Sequence, residues 1–95
     1  MSEMSLKEQI KCLEDMIQYL GDFSKKMDDT MHGLNNDIEY LRANGFSVET
    51  EVTYRKEYYQ PVKGKVDMVV SNINTRHRDY LERVKDRLER AVRER

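Results

Sequence analysis

The sequence predicts an all-α protein: an antiparallel two-helix hairpin, paired as a dimer into a four-helix bundle. Three observations carry this. Eleven positions in the first half alternate steps of four and three and are apolar except one; an Asn-Gly pair interrupts the chain near its middle; and a second apolar stripe follows. With 95 residues, the chain has room for one domain, residues 1–95. Two helices of this length bury only one stripe each, so the pattern calls for a further helix partner.

The first helix opens at Ser5, whose hydroxyl suits an N-cap with Glu8 three residues on. Its stripe runs Leu6, Ile10, Leu13, Ile17, Leu20, Ser24, Met27, Met31, Leu34, Ile38 and Leu41, with Ser24 the polar exception. The helix is expected over 6–43, roughly 57 Å at 1.5 Å per residue. Asn44 and Gly45 stop it, with Gly45 in the left-handed position past a helix end. Phe46 then folds back on Leu41.

Ser47 offers the next N-cap, with Glu49 and Glu51 in the first turn, where acids suit the helix dipole. A second helix is expected over about 48–93. Its stripe reads Val52, Tyr59, Val62, Val66, Val69, Ile73, His77, Tyr80, Val84, Leu88 and Ala91. From Val66 onward the steps approach an eleven-residue repeat, which predicts a straight or weakly wound helix. Pro61 lacks an amide donor and crowds the preceding turn, so a kink is expected near it. The short corner makes the two helices antiparallel neighbours.

Charge is distributed unevenly. Residues 1–43 carry nine acids and five bases, whereas 76–95 carry eight bases and five acids. A fold that brings the chain back on itself lays the basic end beside the acidic half, which accounts for the asymmetry within one molecule. No apolar run approaches the ~20 residues of a membrane span. The first residues lack the basic and apolar regions of a cleaved signal peptide. A cytoplasmic protein is therefore expected, with export by a signal-independent route left open. Cys12 is the single cysteine, which rules out a disulfide within the chain.

Little in the sequence points to catalysis. His32 lies beside the first stripe and His77 on the second, and neither has His, Cys or acid companions at ligand spacing. No nucleophile motif, glycine-rich phosphate loop or carboxylate pair is visible, so no enzyme activity, cofactor or metal is expected. Two features suit protein contacts instead. Tyr54, Tyr58 and Tyr59 cluster after the corner with Arg55 and Lys56 between them. The C-terminal stretch carries Arg83, Arg87 and Arg90, interspersed with Asp86 and Glu89. Both also suit a single-stranded nucleic acid, a weaker reading because acids cancel much of the charge.

The plan resembles the WXG/ESAT-like family of small helical hairpins associated with type VII secretion. The likeness covers nearly the whole chain and rests on its length, the two long helices and the corner Leu41-Arg-Ala-Asn-Gly-Phe-Ser. Gly45 matches the turn glycine, and Phe46 is the nearest large aromatic. Tyr54, Tyr58, Tyr59 and Tyr80 look like the aromatic-rich second helix of that family. The corner Trp is missing, and Tyr80 is followed four residues later by Val84 where the family's secretion signal has an acid. The resemblance implies a small secretion substrate, or a partner for a larger secreted protein, assembling with itself or a similar hairpin. A cytosolic coiled-coil adaptor is the alternative.

Overall fold

The structure is a computed structural model that describes residues 5–94. Among these residues there is no strand. α1 spans Leu6–Ala43, and a second helical arm runs from Val48 to Arg93. The arm comprises α2 (Val48–Tyr54), a π turn at Arg55–Tyr59, α3 (Gln60–Asn72), a second π turn at Ile73–His77, and α4 (Arg78–Arg93). These residues form two compact units, one made of 5–24 with 71–94 and the other of 25–70.

The caps follow from local chemistry. The Ser5 hydroxyl accepts from the Glu8 amide at 3.1 Å and donates to its carboxylate at 3.2 Å. At the corner the Phe46 amide donates to the Leu41 carbonyl at 2.8 Å, and Gly45 takes φ +100° between them. That six-residue closure needs one residue in the left-handed region, which glycine enters without a Cβ penalty. The Asn44 side chain donates to the Tyr40 carbonyl at 2.8 Å, and Ser47 caps α2 by accepting from the Thr50 amide.

In the unit of residues 25–70, Met31, Ile38 and Tyr59 are buried together with Val66 packed against them. Tyr59 donates its hydroxyl to the Met31 carbonyl at 3.5 Å. In the other unit the chain leaves at Ser24 and re-enters at Ser71, so its two helices run antiparallel. Ile17, Ser24, Ile73 and Leu81 are its buried positions. The Arg78 guanidinium lies over Gly21, where a Cβ would stand 3.4 Å from its Cζ.

On α1 the inward positions lie where the periodicity puts them, although Leu34 and Leu41 stay exposed near the corner. The second arm departs from its expected stripe. Val52, Val62, Val69, His77 and Tyr80 are exposed, while Glu51, Val70 and Leu81 turn inward. The two π turns account for the shifts at Glu51 and Val52 and at His77, Tyr80 and Leu81, whereas Val62, Val69 and Val70 lie in the regular α3 between them. Each π turn holds one more residue than an α turn, closing Gln60 N–H onto the Arg55 carbonyl and Arg78 N–H onto the Ile73 carbonyl. The buried positions Glu51 to Tyr59 and Ile73 to Leu81 are each eight residues apart across a π turn. Between them, Tyr59, Val66 and Ile73 keep a spacing of seven.

The irregularity expected at Pro61 therefore takes the form of a widened turn just before it. Pro61 has no N–H to give the preceding turn, and a turn already opened to the i→i−5 pattern gives up less regular bonding there. The second π turn has no proline. Its Thr75 hydroxyl donates to the Ser71 carbonyl at 2.7 Å, a back-bond that competes for a helical acceptor.

Candidate interaction surfaces

Each unit offers a different surface. In the unit of residues 25–70, Glu51 is 7% exposed and gathers two arginines. Arg42 donates from Nε at 2.6 Å and Nη2 at 2.5 Å to its two oxygens, and Arg55 donates from Nε at 3.0 Å. These charges, Arg42 first, hold the Glu51 carboxyl well below the ordinary range, at about 2. Arg55 also reaches Asn35 Oδ1 at 2.9 Å and lies 5.6 Å over the Tyr59 ring. A network of this kind ties α1 to α2 and fixes Arg55 in place, so that Arg55 does not project as a free cation.

The tyrosine cluster is thereby divided. Tyr59 is core, whereas Tyr54 and Tyr58 stack outside it with ring centroids 6.0 Å apart. Glu49, Thr50 and Thr53 complete the shallow concavity around that pair. The other half of the expected patch, Arg83, Arg87 and Arg90, belongs to the other unit, so the two halves do not form one site within either unit.

In the unit of residues 5–24 and 71–94, Tyr80, Arg83, Asp86, Arg87 and Arg90 line an open concavity along α4. Among the described residues of this unit, no ion pair joins this basic end to the acids of α1, the neutralisation that the charge asymmetry leads one to expect. Those present in the unit run within single helices: Lys11–Asp15, Arg83–Asp79, and Lys85 with Glu82 and Glu89. Among the described residues no carboxylate pairs with Arg87 or Arg90.

One surface escapes a reading limited to the main stripe. Cys12, Met16, Tyr19 and Phe23 step by four, three and four along α1, outside its inward face. Cys12 is exposed, and Met16, Tyr19 and Phe23 are 45%, 67% and 51% exposed. Their own helical spacing was the available signal. Leu6, Ile10, Leu13 and Leu20 are half-buried beside the inward positions, as are Val84, Leu88 and Ala91 on α4.

For chemistry the surfaces offer little. His32 and His77 are exposed, and no group of three His, Cys, Asp or Glu among the described residues could hold a metal ion. No helix of the described residues is long and apolar enough to cross a membrane. Comparisons with protein-family models, with curated proteins and with solved structures find no match to this chain.

Proposed function

We propose that this protein is a non-enzymatic helix-packing module that works by binding protein, pairing with itself or a similar helical chain into a four-helix bundle. One observation carries the reading: no side chain among the described residues is completely buried, while Met16, Tyr19, Phe23, Val62, Val69 and Tyr80 stand substantially exposed. Helices that have already packed once and still expose large apolar side chains have unspent surface for another helix. Resemblance to the WXG/ESAT-like hairpins supports a role as a small secretion substrate or as the partner of one.

Light scattering across a dilution series tests the reading. A dimer of about twice the 11.4 kDa chain supports it. A chain that stays monomeric, fully helical and cooperatively folded at every concentration, and that captures no helical partner, sinks it.

A further inference from the structure

We propose that the unit formed by 5–24 and 71–94 opens on its own, its two helical segments parting at a polar layer around Ser24 and Arg78 while the unit of residues 25–70 stays closed. The inference concerns the single chain and holds with or without the pairing role above.

The unit of 25–70 is tied across its helices. Arg42 grips Glu51, Arg55 donates to Asn35 Oδ1 at 2.9 Å, and the Tyr59 hydroxyl reaches the Met31 carbonyl at 3.5 Å. Met31, Ile38 and Tyr59 form a buried apolar cluster alongside these links. The corner between Ala43 and Val48 belongs to this unit too, so its helices meet across a short connection.

The other unit holds together differently. Among the described residues, the side-chain hydrogen bonds and ion pairs of 10–24 and of 71–94 run within one helical segment, as in Lys11–Asp15 and Arg78–Asn74. Separating the two segments breaks none of them. Two buried groups instead gain water when the segments part. The hydroxyl of Ser24, a residue 4% exposed, and Arg78 Nε find no hydrogen-bond partner on the protein. Both belong to one layer, because the Arg78 guanidinium lies over Gly21, which stands three residues before Ser24 on the same side of α1. A polar layer that is unpaired when closed and hydrated when open lowers the cost of opening.

Connectivity fixes the order of events. Residues 25–70 lie between the two segments, so that unit is the loop whose closure brings them together. It can stay closed while they part, whereas the reverse state would have to close its whole length as an unfolded loop. Opening bares Ile17, Ile73 and Leu81, which gives the chain two states under native conditions.

Thiol labelling tests this in a Cys12→Ser chain. Ile17→Cys and Ile73→Cys probe the opening unit, and Ile38→Cys the closed one. The three isoleucines are buried alike, at 7%, 7% and 5% exposure. Positions 17 and 73 are expected to react at one common rate, on the order of tenfold or more faster than 38, with a shallower urea dependence. Adding Ser24→Ala should slow both by about fivefold or more. Because each cysteine loosens its own surroundings, hydrogen exchange on the unsubstituted chain supplies a second reading. Amides of 10–24 and 78–90 should exchange by the shallow process, since freed helices of this length are marginal in water. A single rate and urea dependence at all three positions, or amides of both units exchanging only through global unfolding, overturns the proposal. Unequal rates at 17 and 73 mean fraying from one end, and indifference to Ser24→Ala removes the polar layer as the cause; either result overturns it as well.

Discussion

Arg42 forks both carboxylate oxygens of Glu51 across the corner, from an exposed position on α1 to a buried one on α2. With Arg55 on the same carboxylate, the site holds one acid between two cations. A charge this well paired is costly to neutralise, because protonation leaves two guanidiniums facing each other.

The pH dependence follows in sign. Glu51 titrates near 2 in the folded chain against an ordinary 4.5, so the folded state binds this proton less readily than the unfolded state. Its stabilising contribution is therefore present above about 4.5 and is lost as pH falls from there toward 2. Urea unfolding at a series of pH values should show this decline. In Glu51→Gln the slope over the same window should flatten, and an unchanged slope would assign the acid sensitivity to other carboxylates.

Gly45 is the position where the corner tolerates no side chain conformationally. Its φ of +100° lies in the left-handed region, and no atom would meet an added Cβ. Any loss in Gly45→Ala is thus backbone strain, about 1–2 kcal/mol. The thermal midpoint should drop by about 4–8 °C per kcal/mol for a domain of this size. Gly33 also has open space around it but sits in α1 without a positive φ, so Gly33→Ala should raise stability by about 1 kcal/mol. Opposite signs for two exposed glycines would separate strain from packing.

Ser24 occupies an inward place in the α1 stripe at 4% exposure, and its hydroxyl finds no hydrogen-bond partner. Desolvating an unpaired hydroxyl costs about 1–3 kcal/mol, so Ser24→Ala should stabilise the fold. Circular dichroism melting would detect the rise. A drop would mean that the hydroxyl is satisfied in solution.

α1 was legible because nothing interrupts its phase: its bounds, its caps and its inward residues all follow from alternating apolar steps and the Asn44-Gly45 stop. The second arm was only half legible. Its extent is written in Ser47 and the spacing of Tyr59, Val66 and Ile73, but a π turn leaves no residue signature of its own. Without one, counting forward from Ile73 reaches His77 and Tyr80, where the chain turns in Arg78 and Leu81. Glu51 was hidden for another reason. An acid in a first turn suits the helix dipole whether it is exposed or buried, and only the approach of Arg42 and Arg55 distinguishes the two. The flank of Met16, Tyr19 and Phe23 was present in the spacing but masked by the stronger stripe beside it.

The phase argument predicts the outcome of single-residue deletions. Ile73 and Leu81 both face inward because the second π turn absorbs one residue between them. Deleting Thr75, exposed within that turn, should convert it to an α turn and leave the two residues seven apart, still on one face. Deleting Met68, equally exposed but within regular α3, should instead rotate everything after it by about 100° and misalign Ile73 and Leu81 with Val66. The expectation is that the Thr75 deletion melts cooperatively within a few degrees of the parent chain and that the Met68 deletion loses its cooperative transition. If both deletions are tolerated alike, the register of the arm is not set by its π turns, and the exposure of His77 and Tyr80 needs another cause.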